Sequence, residues 1–260
     1  MDGSEVFRME SVTKSYGGIR ALNSISVAFG EGLTAIIGDN GAGKSTFMKI
    51  LSGVTLPDQG TFLLHGQPIH ITSPVEARKL GIESLYQDLA LADTLNVYAN
   101  MFLGRELVKR IGGLPFLDER RMAQLARETL DQVRINIPSV YTMVRNLSGG
   151  QRQAVALARA IHFKASVLLL DEPTAALGPK ETDSFNRIIM NLVDEGKTVI
   201  MVTHNIPQMM EMASRVVVMR AGAVVVEMSP KDTTQEEIMA FMVGSYKTVN
   251  SPQALQKGGN

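Results

Sequence analysis

The amino-acid sequence predicts an α/β protein with a mixed, largely parallel sheet, an N-terminal antiparallel β part and an inserted helical block. Three observations carry this prediction. Short stretches of alternating apolar and polar residues, separated by glycines, fill the opening third. Apolar residues recur at intervals of three and four between about residues 88 and 162. From residue 165 onward, short apolar runs alternate with helical patterns, which is typical of a parallel sheet with helices on both faces.

The N-terminal antiparallel part is indicated by two alternating stretches, VFRMESV and ALNSISVAF. Gly17-Gly18 and residues 30–32 supply turns around them. Further along, GTFLLHGQPI resembles a hairpin that turns at His65-Gly66. Between these segments, LTAIIG is a short apolar run leading into glycines, and STFMKILSG has the spacing of a helix that ends at Gly53.

The helical block and the second half of the sheet follow in order. DERRMAQLARETLDQV has clear helical spacing, and we expect the whole block to be mainly helical. After it come SVLLLD, KETDSFNRIIMNLVDEG, KTVIMVTH, NIPQMMEMA and RVVVMRAGAVVVEM, which alternate between strand and helix patterns. We therefore expect a core over residues 5–87 and 163–243, a helical insertion over 88–162, and a flexible polar tail over 244–260.

The amino-acid composition narrows the classes of partner that this protein can have. The 260 residues suit one large domain and contain 26 lysines and arginines against 26 aspartates and glutamates. A net charge of zero argues against a nucleic-acid partner, which normally leaves a basic surface. The chain has no cysteine, which excludes disulfides and thiolate metal sites. No secretory signal is visible and the apolar runs have strand length, so we expect a soluble protein that acts on a membrane only through a partner.

A phosphate-binding loop is predicted at GDNGAGKST, which fits G-x-x-x-x-G-K-S/T between a predicted strand and a predicted helix. Its glycines allow successive N–H groups to point inward, and the helix N-terminus adds partial positive charge. Lys44 can reach the β- and γ-phosphates of a nucleotide, and the Ser45 hydroxyl can ligate Mg²⁺. A chance match is the alternative, which the flanking strand and helix disfavour. The candidate binding residues are Gly38, Asp39, Asn40, Gly41, Ala42, Gly43, Lys44, Ser45 and Thr46.

Two acids, Asp171 and Glu172, follow the apolar run VLLL. This places them at the end of a predicted strand, where α/β sheets bind ligands. Asp171 can hold Mg²⁺ through water, and Glu172 can polarise an attacking water. Acids that end a strand are also common as helix caps, which is the alternative interpretation.

Three further side chains are candidates on weaker signals. His204 follows the apolar run TVIMV and could approach a γ-phosphate, whereas His65, His70 and His162 are expected to be structural. Gln87 follows a short strand-like run and could bind Mg²⁺ or water, although an ordinary surface glutamine is the alternative. Tyr16 could stack on a base.

A second glycine loop, LSGGQ, begins a helix about a hundred residues after the first. Ser148 and Gln151 fit the capping-box pattern S-x-x-Q. The exposed N–H groups of such a helix and the serine hydroxyl suit a γ-phosphate. Because one cradle already surrounds the phosphates of its own chain, we expect Ser148, Gly149, Gly150 and Gln151 to serve a second chain. An ordinary capped helix is the alternative; it would explain Ser148 but not two adjacent glycines.

The order of these motifs, from Tyr16 through GDNGAGKST, Gln87, LSGGQ and VLLLDEPT to His204, resembles the nucleotide-binding domain of ATP-binding-cassette (ABC) transporters over residues 5–243. The resemblance implies a P-loop NTPase core of the RecA type with an inserted helical subdomain. It also implies ATP and Mg²⁺ as ligands, and a head-to-tail homodimer. It further implies roles for single residues: Tyr16 in adenine stacking, Gln87 in the Q-loop, Glu172 as catalytic base and His204 as switch histidine.

Shorter stretches, LYQDLAL, NMFLGRE, EPTAALG and THN, resemble the ATPases of monosaccharide importers, in the subset that carries a single cassette. The resemblance implies transmembrane permease subunits as partners, contacted through residues 88–106, and indirectly a periplasmic or extracellular sugar-binding protein. The alternative for the apolar residues of this stretch is a place in the core. It implies a peripheral position at the cytoplasmic face of the bacterial inner membrane. One departure is Gly178, where the family usually has an aspartate that contacts the partner chain. The alternatives are a soluble ABC ATPase of DNA repair or translation, and a regulatory module that does not hydrolyse ATP.

Overall fold

A computed structural model describes residues 5–86, 89–132, 135, 137–175 and 177–245. The strands are β1 (Glu5–Tyr16), β2 (Ile19–Gly30), β3 (Gly32–Ile37), β4 (Gln59–Leu64), β5 (Gln67–Ile69), β6 (Ile82–Leu85), β7 (Val108–Ile111), β8 (Leu114–Leu117), β9 (Val167–Asp171), β10 (Thr198–Val202), β11 (Arg215–Arg220) and β12 (Ala223–Met228). The α-helices are α1 (Lys44–Leu51), α2 (Pro74–Lys79), α3 (Val97–Met101), α4 (Glu119–Gln132), α5 (Gly149–His162), α6 (Pro179–Asp194), α7 (Ile206–Met212) and α8 (Gln235–Val243). Short 3₁₀ helices span Val144–Asn146 and Pro230–Asp232.

Two sheets form the body of the protein. A four-stranded antiparallel sheet has the order β2-β1-β4-β5. A six-stranded sheet has the order β12-β11-β3-β10-β9-β6, and all its neighbours are parallel except the pair β11–β12. The predicted α/β class, with a largely parallel sheet and an N-terminal antiparallel part, is confirmed. The hairpin predicted at His65-Gly66 is also confirmed, as the β4–β5 turn.

The central strands are buried on both faces, so their apolar runs are continuous rather than alternating. In β9, Leu169 faces the cluster shared with the antiparallel sheet and α1, while Leu168 and Leu170 face the cluster formed with α5, α6, α7 and α8. The parallel sheet therefore lies between the antiparallel sheet on one side and a helical layer on the other.

Helix α5 joins this core to the helical block. Leu157 and Ala160 belong to the core cluster beneath the parallel sheet, whereas Val155 and Ala158 belong to a third cluster with α3 and α4. Because its two apolar faces are buried in different clusters, α5 cannot move without disturbing one of them.

The block over residues 88–162 is less helical than the sequence predicts. Strands β7 and β8 form an antiparallel hairpin inside it, and all eight of their residues are exposed. Gly112 and Gly113 form the turn with φ of 61° and 86°, which two adjacent glycines adopt without strain. The helical prediction missed this Gly-Gly turn signal. Among the described residues, no helix has the length and apolar character needed to cross a lipid bilayer.

An aromatic cluster attaches α1 to the antiparallel sheet. Phe47 of α1 is fully buried and meets Phe29 of β2 edge-on, with ring centroids 6.2 Å apart. Phe7 of β1 lies next to Phe29, at 6.4 Å. The position of α1, and of the loop that precedes it, therefore depends on these rings.

We predict that Phe47→Ala lowers the free energy of unfolding by about 3–5 kcal/mol, because it removes a fully buried ring and leaves a cavity. Urea denaturation followed by circular dichroism measures this loss. Leu56→Ala is the control, since Leu56 is 50% exposed and a surface change should stay within about 0.5 kcal/mol. A similar small loss for Phe47→Ala would show that the rings do not support α1.

Candidate functional site

The loop between β3 and α1 is held so close to its surroundings that only glycine fits at two positions. A Cβ atom at Gly38 would lie 2.2 Å from the carbonyl oxygen of Met219. A Cβ atom at Gly43, the N-cap of α1 with a φ of 104°, would lie 2.6 Å from the carbonyl oxygen of Ala21. The glycines predicted to shape a phosphate cradle are thus also required by close backbone packing.

The first turn of α1 supplies the positive end of the site. Lys44, Ser45 and Thr46 form this turn, and the first N–H groups of a helix have no partner within the helix. The Lys44 ammonium lies over the loop and donates to the carbonyl oxygens of Gly38 (2.6 Å) and Asp39 (3.0 Å). Backbone N–H groups and one ammonium are therefore concentrated at a single helix end, which suits a polyphosphate.

A cleft of about 510 Å³ opens over this loop, which is large enough for a nucleotide. It is lined by the predicted residues Asn40, Gly41, Ala42, Gly43, Lys44, Ser45, Thr46, Asp171 and Glu172, and by Ile19, Arg20, Ala21, Val202 and Ala221. The second set was missed from sequence. Ala21 is there because the β1–β2 hairpin folds against Gly43, and no local pattern in the sequence signals that contact.

Asp171 is the last residue of β9, at the carboxyl edge of the parallel sheet. Burial raises the pKa of its carboxyl group, and the neighbouring Glu172 carboxylate raises it further. The ammonium groups of Lys44 and Lys49 act in the opposite direction on the Asp171 pKa. A cation bound in the cleft would stabilise the charged form of Asp171, which burial disfavours.

Glu172 and His204 contact each other at the same edge of the sheet. The backbone of Glu172 is left-handed, with a φ of 47°, and its N–H donates to the carbonyl oxygen of Val202 at 3.0 Å. The Oε1 atom of Glu172 lies 3.3 Å from Nδ1 of His204, whose side chain is 68% exposed. A left-handed conformation at a residue other than glycine stores strain, and such strain is often found at functional sites.

Four residues predicted for this cleft, all within the described ranges, are not among those that line it: Gly38, Asp39, Tyr16 and His204. Asp39 contributes its carbonyl oxygen to Lys44. Tyr16 ends β1 beside the cleft, is 46% exposed, and has the ammonium of Lys14 5.6 Å from its ring centroid. Gln87 lies outside the described residues.

His162 has the structural environment expected for it. Its Nδ1 lies 3.0 Å from the Thr129 hydroxyl, and its ring packs edge-on against Phe102. Burial lowers the pKa of His162, which favours a neutral ring.

The second glycine loop forms the predicted capping box. The Ser148 hydroxyl accepts from the Gln151 N–H at 3.2 Å, and the Ser148 N–H donates to Oε1 of Gln151 at 3.0 Å. Packing within the chain gives one of the two glycines a second explanation. A Cβ atom at Gly150 would lie 2.8 Å from Cγ of the exposed Glu181 side chain, so this contact favours glycine there.

Within one chain, the two glycine loops belong to different depressions. Ser148, Gly150 and Gln151 border a second hollow of about 310 Å³ between α5 and α6, and none of them lines the cleft over α1. A nucleotide in that cleft is thus bordered by the first loop of its own chain and not by the second.

The comparisons with known proteins agree with this geometry. Residues 22–175 match the family described as "ABC transporter". The xylose/arabinose import ATP-binding protein XylG of Sulfolobus acidocaldarius is 42% identical over 240 residues, which cover 92% of this chain and 94% of XylG. The fructose import ATP-binding protein FrcA of Rhizobium meliloti is 41% identical over 245 residues, with the same coverage of 92% and 94%.

A solved structure adds a likeness in three dimensions. It is a dimeric ATP-binding cassette in a post-hydrolysis state bound to ADP and Pi, which is 27% identical to this chain and superimposes with a TM-score of 0.72. The match covers 86% of this chain and 98% of the cassette. From the family match, these relatives and the cleft over α1, the chain belongs to the ABC transporter family.

Proposed function

We propose that this chain is the ATP-hydrolysing, energy-coupling subunit of a bacterial ABC importer for a monosaccharide. The observation that carries the proposal is the single cleft in which the phosphate loop of α1 faces Asp171 and Glu172. ATP hydrolysis needs a phosphate cradle, oxygen ligands for a cation and a base beside the terminal phosphate, and the residues that line this cleft support all three roles.

The cradle binds the nucleotide by charge and by backbone N–H groups. When the nucleotide binds, the Lys44 ammonium gives up its hydrogen bonds to the Gly38 and Asp39 carbonyl oxygens. It then donates to oxygens of the β- and γ-phosphates. Residues 38–46 surround the remaining phosphate oxygens, and Tyr16 stacks on the adenine at the open end of the cleft.

The residues present fit Mg²⁺, which prefers oxygen ligands. The Ser45 hydroxyl and the Asp171 carboxylate both line the cleft, and Gln87 is the third ligand that the family resemblance implies. When bound, the cation neutralises charge on the phosphates.

The attack on the γ-phosphate depends on Glu172 and His204. The Glu172 carboxylate accepts a proton from the attacking water as general base. His204, 3.3 Å from Glu172, orients this carboxylate and contacts the γ-phosphate. The backbone hydrogen bond from Glu172 to Val202 keeps the base at the edge of the cleft while the nucleotide changes.

A second copy of the chain completes the site. Ser148, Gly150 and Gln151 border a different hollow from the ATP cleft, which supports a contact between this loop and the phosphate bound by another molecule. The exposed N-terminus of α5 suits this contact, and the related cassette that contains ADP and Pi is dimeric. ATP thus favours a closed head-to-tail homodimer, and hydrolysis opens it.

The transport role rests on the named sugar importers among the relatives and on the family to which the chain belongs. We place the subunit at the cytoplasmic face of the inner membrane, with the sugar-binding protein on the other side. It binds permease subunits through the exposed residues of 88–106, because Val97, Tyr98 and Phe102 of this stretch are buried in the third cluster. Residues 5–243 form the ATPase in this proposal, with 88–162 as its helical subdomain. No nucleic-acid partner is proposed.

We predict that Glu172→Gln lowers kcat for ATP hydrolysis at least about 100-fold, because the amide cannot accept the proton. ATP binding survives, so size-exclusion chromatography with ATP should show an accumulated dimer. Glu195→Gln, an exposed glutamate at the end of α6, is the control and should hydrolyse ATP normally. Turnover that is unchanged in Glu172→Gln would remove the base from the mechanism.

Ser148→Arg tests the contribution of the second copy. The arginine blocks the α5 N-terminus, so ATP-driven dimer closure and turnover should be lost while the isolated monomer still binds ATP. Equilibrium binding of a fluorescent ATP analogue and light scattering separate the two properties. Gln124→Arg, on the exposed side of α4, adds the same charge and should change neither. Normal hydrolysis by Ser148→Arg would exclude the shared site.

Uptake measurements test the sugar assignment. The chain is co-purified with its membrane partner, reconstituted in vesicles and supplied with labelled pentoses and hexoses. We expect ATP-dependent uptake of at least one monosaccharide and none with Glu172→Gln. ATP hydrolysis without uptake of any monosaccharide in the panel would contradict the substrate class but not the ATPase.

A further inference from the structure

The Glu181 side chain lies between the first turns of α5 and α6. Glu181 is the third residue of α6. A Cβ atom at Gly150 of α5 would lie 2.8 Å from Cγ of Glu181 and 3.1 Å from its Cβ. The carbon stem of Glu181 thus lies directly on the backbone of Gly150, at the helix end that carries Ser148.

The other end of the same side chain covers a second glycine. A Cβ atom at Gly178, the N-cap of α6, would lie 2.7 Å from Oε2 of Glu181. Within the described ranges, the Glu181 carboxylate forms neither a hydrogen bond nor an ion pair. The Glu181 side chain is therefore held by van der Waals packing against Gly150 and Gly178, where the missing Cβ atoms leave space for it.

These contacts connect two parts of the proposed mechanism. Helix α6 is anchored in the core by Phe185 and Ile189 and follows the loop that begins at Glu172. Helix α5 begins at the turn proposed to bind the partner's phosphate. The Glu181 side chain, although exposed, therefore lies between the loop that carries Glu172 and the phosphate-binding turn.

We propose that Glu181 is a positioning residue whose side chain, packed on Gly150 and Gly178, holds the phosphate-binding turn of α5 in register with the loop that carries Glu172. This inference rests on the proposed function. The turn of α5 faces the nucleotide bound by the partner, whereas Glu172 acts on the nucleotide bound by its own chain. By fixing the spacing between the two, Glu181 couples the two ATP sites of the dimer.

Single substitutions should disturb turnover without disturbing nucleotide binding. Gly150→Ala places a methyl group where the Glu181 stem lies, and we expect kcat to fall at least about tenfold, since small misplacements of catalytic groups are costly. Glu181→Ala leaves the turn unsupported and should cause a smaller fall in kcat. The ATP affinity of the monomer stays within about twofold in both, because neither residue lines the cleft over α1.

The double variant Gly150→Ala/Glu181→Ala is the decisive test. Alanine at 181 removes the 2.8 Å contact and leaves only the 3.1 Å contact, so kcat should recover at least about threefold over Gly150→Ala alone. Glu181→Gln keeps the stem and should behave like the unchanged protein. Ser184→Ala, one turn further along α6, is the matched control. The measurements are kcat and KM for ATP, ATP-driven dimerisation, and thermal unfolding to confirm that each variant is folded.

Recovery in the double variant, with normal kcat in Glu181→Gln, supports the positioning role. Absence of recovery, or a loss in Glu181→Gln equal to that in Glu181→Ala, overturns it. If the unchanged protein hydrolyses ATP and dimerises while the double variant stays inactive, only this inference fails. If the unchanged protein does not hydrolyse ATP, the proposed function fails.

Discussion

The parallel register of three neighbouring strands is the constraint on which the rest of the structure depends. Strand β10 pairs with β3 on one side, with Val202 opposite Ile36, and with β9 on the other, with Val202 opposite Asp171. Because the three strands run in the same direction, they end together and their following loops share one edge. Sheet register therefore brings the phosphate loop, the acidic pair and His204 to one edge, where Glu172 and His204 also contact each other.

Helix α5 connects the parallel sheet to the helical block. One of its faces packs under the parallel sheet and the other packs against α3 and α4. Its capped N-terminus lies on the surface, next to the first turn of α6. A conformational change at the nucleotide edge of the sheet can thus move α5 and, with it, the helical block. A coupling subunit requires such a mechanical connection.

Local patterns were readable from the sequence, whereas contacts between distant segments were not. Strand–helix alternation, the phosphate loop and the Ser148–Gln151 capping box each depend on neighbouring residues, and the structure contains all three. The β7–β8 hairpin was missed because helical spacing in α4 was extended over its flanks. The approach of Ala21 to Gly43 and of Glu181 to Gly150 arises only when the chain is folded, so no local signal could have revealed either.

The left-handed backbone of Glu172 has a consequence for how this sequence can change. A residue with a side chain in that conformation destabilises the fold by about 1 kcal/mol or more, a cost that glycine would not incur. Folding stability alone therefore favours loss of the carboxylate at the very position where the proposed chemistry needs it. A lineage under selection for robustness but not for turnover would be expected to drift toward glycine here. Glutamate at this strained position thus keeps the carboxylate that the proposed chemistry needs, at a cost in folding stability.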